Sequence, residues 1–303
     1  PDDSTINGND GTFNGDPTIS TDIPDVDFTN TRSIDFDGDG DFIDFGDQAE
    51  LEVEGDMPFT LSLWFKPNAS PAAESTYALM AKGTPASAGY AFQYEQVGGQ
   101  FVLNLSKYGV VDQRVAVTEL DTNAWHHLTA VQRSNEVEYY IDGVSVGTFA
   151  NSGGYIASGS NTFRIGAASN GDVETNGLID DVRVYNRELS ETEITTLASG
   201  QPMIVGVFVP NDGTYDDDDV LNFSLQIDDV VNITSSGFIP TLQLSIGDST
   251  ANANQFSIST PGNGVSTIGF AYIISSSDND SDGIELNAPL QLNGATIENA
   301  GGA

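Results

Sequence analysis

Asp278-x-Asp280-x-Asp282-Gly283 sets three carboxylates at alternate positions beside a glycine. Oxygen ligands spaced in this way converge on one hard divalent cation, which points to Ca2+. An EF-hand loop would also need a bidentate Glu at its twelfth position and helical flanks. Glu285 comes too early and the flanks read as strands, so the segment is not an EF-hand. Asp37-Gly38-Asp39-Gly40-Asp41 is a second cluster. Each cluster has a plainer reading as an acidic turn without an ion. The run Asp216 to Asp219 reads as a solvated turn. His126 and His127 are neighbours on a strand and so point to opposite faces, which prevents them from sharing one ion. No serine elbow, P-loop or dinucleotide fingerprint is present. The chemistry on offer is cation binding, with no catalytic residues assigned.

The balance of charge points the same way. Nine Lys and Arg stand against 45 Asp and Glu, a formal net charge of −36. Such a surface repels nucleic acid and anionic lipid, so neither is an expected partner. The chain has no cysteine, and its stability must come from cores or from metals. No apolar run approaches the roughly 18 residues of a membrane span, so direct membrane insertion is not expected. No signal peptide is seen, and the chain closes on Ala300-Gly301-Gly302-Ala303; it reads as an excerpt of a longer protein.

The elements that must position these residues are strands. With 303 residues, 38% hydrophobic residues and 32 glycines, the chain suits two all-β domains with tight turns. Residues 1–32 read as loops with one short strand at most, and order begins at Ser33. Phe59, Leu61, Leu63 and Phe65 share one face of a strand, and Thr60, Ser62 and Trp64 the other, which predicts one buried side. Phe101, Leu103 and Leu105 alternate likewise, as do Val137, Tyr139 and Ile141 ahead of the turn pair Asp142-Gly143. Ser190 with Glu193 forms a capping box before Ile194 and Leu197, and Gly200 sits where that helix would end. The boundary falls at Gln201-Pro202, giving domains 1–200 and 201–303. In the second domain Leu221 to Ile227, Leu242 to Ile246, Phe270 to Ile274 and Leu290 to Leu292 alternate, as in a small sandwich of about seven strands.

Several segments in order then carry a resemblance: Asn7-Gly8-Asn9-Asp10-Gly11-Thr12, Ile34 to Phe42, Phe59 to Pro67, Trp125-His126-His127-Leu128, Tyr140-Ile141-Asp142-Gly143 and Gly177 to Ser190. Over residues 5–199 the chain resembles the laminin G-like and pentraxin-like branch of the concanavalin A-like jelly rolls. The resemblance implies a β-sandwich in which Asp37, Asp39 and Asp41 meet Asp180 and Asp181 on neighbouring strands around a structural calcium, with Asp39 an extra carboxylate. Laminarinase-type glucanases share this fold and mount their carboxylates alternately on one strand. Glu50-Leu51-Glu52-Val53-Glu54 has that spacing, but it carries Glu for the central Asp and turns Leu51 and Val53 to the core. Catalysis is therefore not expected. Residues 203–300 resemble the immunoglobulin-like or cadherin-like modules of large bacterial surface adhesins, through Gly213-Thr214-Tyr215, Asp219 to Phe223, Asp278 to Ile284 and Leu292 to Ile297; Asp218-Asp219 replaces the usual Gly-Asp.

Together the resemblances imply an extracellular, calcium-binding module of a bacterial cell-surface or secreted adhesin. Its jelly roll would bind a glycan or another host or biofilm surface ligand, and its second domain would be a calcium-stiffened spacer beside neighbouring adhesin domains. A purely structural segment and an accessory region of a glycan-degrading enzyme are the alternatives. Tyr77, Tyr90, Tyr94, Tyr108 and Tyr155 lie in or beside predicted loops, where each is either a sugar-stacking platform or a packed ring.

Overall fold

The computed structural model describes residues 8–26, 30–84, 88–150, 153–168, 173–201, 203–211, 213–227, 231–234, 239–246, 249–259, 266–278, 284–293 and 295–299. The chain forms two compact units, residues 1–26 with 30–200, and the residues from Gln201 onward.

The first unit contains β1 (Thr12–Asn14), β2 (Thr18–Ser20), β3 (Ser33–Asp37), β4 (Phe42–Asp44), β5 (Phe59–Pro67), β6 (Ser75–Thr84), β7 (Ala88–Val97), β8 (Gln100–Lys107), β9 (Val111–Val117), β10 (His126–Gln132), β11 (Glu136–Ile141), β12 (Val144–Ala150), β13 (Phe163–Ile165), β14 (Asn176–Tyr185) and helix α1 (Glu191–Ala198). They make two seven-stranded sheets, ordered β1-β4-β13-β6-β7-β8-β9 and β12-β11-β10-β5-β14-β3-β2. Every pairing is antiparallel, and the two sheets enclose one core, which is a jelly-roll sandwich.

Period-two alternation explains why these segments pair where they do. Phe59, Leu61, Leu63 and Phe65 of β5 point into the core, where they meet Tyr90, Phe92 and Tyr94 of β7 and Leu103 and Leu105 of β8. Full burial of each such side chain stabilises the fold by roughly 1.5–3 kcal/mol. The expectation of one buried face on β5 needs correcting, because Thr60, Ser62 and Trp64 are buried as well. The chain after β14 covers them: Thr60 Oγ1 donates to the Arg187 carbonyl and accepts from the Leu189 amide, and α1 lies against β10.

Two local signals have the geometry their residues dictate. Asp142 and Gly143 have φ of 52° and 77°, so the β11–β12 hairpin closes through a turn with both central residues left-handed. The Ser190 hydroxyl accepts from the Glu193 amide while the Glu193 carboxylate accepts from the Ser190 amide, and Ile194 and Leu197 are buried. The N-terminal stretch departs from the expectation of loops. It holds two strands, and they join different sheets, β1 on β4 and β2 on β3. Three residues are too few to show a period.

The second unit holds β15 (Ile204–Phe208), β16 (Val220–Ile227), β17 (Val231–Thr234), β18 (Thr241–Ile246), β19 (Ser249–Ser259), β20 (Ser266–Ile273), β21 (Glu285–Gln291) and β22 (Thr296–Asn299). Six form one sheet, β15-β16-β20-β19-β18-β21, and β17 pairs with β22. Leu221, Phe223, Leu225, Leu244, Ile268 and Phe270 lead its core. All nine Lys and Arg of the chain precede Gly200, as do both His, so this unit carries no cationic side chain.

The capping box makes a direct prediction. Ser190→Ala removes an N-cap acceptor and should cost about 1 kcal/mol, lowering the first unit's thermal midpoint by about 2–4 °C. Scanning calorimetry checks it, and an unchanged midpoint would show that the cap contributes nothing.

Candidate functional site

The pairing of Asn14 with Phe42 brings the chain after β1 against the loop before β4. Asp41 is buried there and acts as a clasp. Its Oδ1 accepts the Asp16 amide at 2.8 Å, and its Oδ2 accepts the Asp37 amide at 3.2 Å. Gly15 permits the approach: at φ +74°, a Cβ there would lie 2.5 Å from both Asp41 Oδ1 and the Gly40 carbonyl oxygen. Ligand oxygens of Asp16, Asp37 and Asp41 come within 4.8 Å of one another. Asp39 donates its amide to Asp37 Oδ1 but is not one of that trio. Asp16 was missed from sequence, and only the β1–β4 register could have found it.

Asp180 and Asp181 do not join this cluster, which corrects the expected calcium set. β14 does pair with β3, but Asn176 stands opposite Asp37 and Ile179 opposite Ile34. Asp180 is thus four residues further along, about 13 Å at strand rise. It accepts from Asn30 Nδ2 at 2.6 Å, and burial pushes its pKa up to about 6. Asp181 sits at a break in register with φ +44° and takes Arg183 Nε on both oxygens, at 2.9 and 3.0 Å. In the second unit, Asp278 Oδ2 accepts the Ser275 amide and the Tyr272 hydroxyl, both at 2.8 Å; the amide bond leads in holding its carboxyl below the usual range. Asp280 and Asp282 lie outside the described residues. Asp219 Oδ2 caps the Asp216 amide at 2.7 Å in an exposed turn.

A different group of polar residues lies on the outer face of the first sheet. Gln93, Asn104 and Arg114 stand in one row across β7, β8 and β9. Asn104 is fully buried at the centre. Its Nδ2 donates to Gln93 Oε1 at 2.9 Å, Glu95 Oε1 at 2.7 Å and, more weakly, Asp112 Oδ1 at 3.3 Å. Ser106 Oγ donates to Asp112 Oδ1 at 2.7 Å. Arg114 closes the array, with Nε 2.6 Å from Glu95 Oε2 and Nη2 2.9 Å from Asp112 Oδ2. Asp112 and Arg114 keep about two fifths of their side chains exposed, so the array meets solvent through them.

Most of the remaining candidates are structural. Ala49–Leu51 is a 3-10 turn, so Glu50, Glu52 and Glu54 do not alternate along a strand, and Glu52 Oε2 accepts the Ser158 hydroxyl at 2.6 Å. Tyr90, Tyr94 and Tyr155 are core residues, so none of the three is a sugar platform; Tyr77 is half-buried against them, and Tyr108 is buried over Ala81 and Ala91. A tyrosine beside a glycine reads as a loop residue until its alternation with Phe92 is noticed. His126 Nδ1 lies 3.0 Å from Asp142 Oδ2. His127 is buried, with Nε2 2.8 Å from Ser62 Oγ and its ring edge-on to Trp64.

Sandwich topology and the inner core define a lectin-like jelly roll. Residues 37–195 match the model of the concanavalin A-like lectin/glucanases superfamily in its laminin G form, and the chain belongs to that family. Its fold is similar to the binding domain of botulinum neurotoxin serotype G, with 12% identity, 89% of each chain covered and a TM-score of 0.50. Domain 4 of AbnA, an extracellular GH43 arabinanase of Geobacillus stearothermophilus in complex with arabinotriose, aligns at 21% identity over 62% of this chain and 87% of that one, TM-score 0.48. A SAP-like pentraxin of Limulus polyphemus aligns at 18% identity over 55% and 81%, TM-score 0.42.

His127 gives a prediction with a definite sign. Burial, then the nearby Arg183, lower its pKa from 6.5 to about 3. Between those values the unfolded chain binds a proton that the folded one refuses. This contribution to stability is whole above pH 6.5 and is lost as pH falls toward 3. In a proton NMR titration the His127 ring signal should stay flat from pH 8 to pH 4; an inflection near 6.5 would place the ring in solvent.

Proposed function

We propose that the first unit is a non-catalytic, calcium-binding carbohydrate-recognition domain of an extracellular surface protein, and that the second is a spacer of immunoglobulin-like type. One observation carries the recognition reading: the outer face from Gln93 to Arg114 is a pre-ordered set of hydrogen-bonding groups on rigid strands. Ordering before binding spares a sugar ligand the cost of fixing its partners. Glu50, Glu52 and Glu54, in and beside a 3-10 turn, argue against a glucanase-type pair, since that chemistry needs two carboxylates facing one cleft. Glycans on cell or biofilm surfaces, and neighbouring modules of an adhesin, are the partners this reading names.

The calcium reading now rests on Asp16, Asp37 and Asp41. The donors are all oxygen, as a hard cation requires. Asp16 and Asp37 remain exposed while Asp41 is fixed by two amides. Their mutual repulsion is relieved by a cation. The trio near Asp278 belongs to the same proposal for the second unit.

Calcium should raise the first unit's thermal midpoint, since a ligand of the folded state stabilises it by about 2.7 kcal/mol at a hundredfold excess over Kd. The shift should vanish in Asp41→Asn. Identical scans with calcium and with chelator would remove the metal from this account. The recognition reading is tested on a glycan array, with reducing-end release from laminarin and arabinan as the check on catalysis; release would identify an enzyme.

A further inference from the structure

The polar array contains one group that its own neighbours leave unused. Tyr108 follows β8 and lays its ring over Ala81 and Ala91, on the outer face of the sheet. The side chain is 4% exposed, and among the described residues its hydroxyl has no hydrogen-bond partner. A buried, unpaired hydroxyl costs about 1–3 kcal/mol. The ladder sets Ala91, beneath its ring, beside Ser106 and then Asp112. Burial first, and then the carboxylates of Asp112 and Glu95, raise its pKa, so the hydroxyl stays protonated as a donor.

The core tyrosines show the contrast. Tyr90 donates to the Leu51 carbonyl, Tyr94 accepts the Leu120 amide, and Tyr155 donates to Gln113 and Gln132. The fold thus supplies partners to these inward hydroxyls and leaves that of Tyr108 open beside an ordered set of amide, carboxylate and guanidinium groups.

We propose that the outer face of the first sheet is a saccharide seat, in which Tyr108, Asp112 and Arg114 bind hydroxyls of a neutral sugar over the floor formed by Gln93 and Asn104. This rests on the carbohydrate-recognition reading and adds to it the Tyr108 hydroxyl and a charge class. Asp112 and Arg114 are the groups a ligand meets first. A sugar hydroxyl that parts them reaches Tyr108 and completes its hydrogen bond. Adjacent sugar hydroxyls match the fork of a carboxylate or guanidinium, with two parallel bonds. Two carboxylates, Glu95 and Asp112, against one guanidinium, on a chain of net charge −36, turn away sulfated and uronate glycans.

The probe is an array of neutral oligosaccharides of glucose, galactose, mannose, arabinose and fructose, with sulfated and uronate glycans as the anionic arm. The full chain should bind on the neutral arm. Titration calorimetry with the strongest hit should show Tyr108→Phe weaker by about five- to tenfold, the worth of one hydrogen bond. Its thermal midpoint should be unchanged or higher, because the substitution removes only an unpaired hydroxyl. Asp112→Ala should weaken binding by more than tenfold. Glycan binding by the wild-type chain that both variants match in strength overturns the seat but keeps the recognition reading. Preference for the anionic arm overturns the charge class and the seat with it. No binding on either arm overturns both the seat and the reading beneath it.

Discussion

Tyrosine rings in the layer between the two sheets govern the first unit. A phenol buried among apolar neighbours supplies large contact area, but its hydroxyl must find a partner. Phe59 meets Tyr90 and Tyr155 at ring distances of 5.5 and 5.3 Å, and Phe65 meets Tyr94 at 6.4 Å. Each hydroxyl then reaches past the core to a loop or a strand edge. Tyr90 holds the 3-10 turn at its last residue, Leu51, Tyr94 holds Leu120, and Tyr139 accepts the Leu105 amide and donates to the Gln113 carbonyl. The rings thus set the spacing of the sandwich while their hydroxyls fix its connections. β7, β8 and β9 are held rigid from beneath, which keeps the polar groups on their outer faces in register.

Scarce cations are spent on structure. Lys82 is wholly buried and reaches Asp47 at 2.9 Å and the Asn161 carbonyl at 2.8 Å. Arg133 gathers Glu138 and Glu188, both at 2.9 Å, and Arg164 takes Asp44 at 3.1 Å. The pairs of Arg133 and Arg164, which keep some exposure, are worth little singly. Their importance is positional, since each ties a loop or strand end to a neighbour. The Asp16, Asp37 and Asp41 cluster stands apart, because its fixed members are held by backbone amides.

Features encoded within one strand or one turn were legible from sequence. Phe59 to Phe65, the left-handed pair Asp142-Gly143 and the box of Ser190 with Glu193 each depend on neighbours a few residues apart. Features made by register across strands were not. Asp16 comes to Asp41 only through β1 on β4, and Asp180 misses Asp37 by four positions on a ladder whose existence was read correctly. The outer array escaped for a related reason. Leu103 and Leu105 announced a strand, while Asn104 and Ser106 on its other face carry no local signal of burial. Their burial follows from neighbours contributed by β7 and β9, which no local pattern states.

The second unit's lack of any cationic side chain has a consequence for handling the protein. Trypsin has no site to cut beyond Arg187, and amine-directed labels and crosslinkers have no lysine to react with there. Whatever its state of folding, Glu188 to Ala303 would survive tryptic digestion as a single long peptide. A protease map of this chain made with trypsin would therefore show a stable C-terminal piece for reasons of composition alone, and carboxylate-directed cleavage is needed to see its shape.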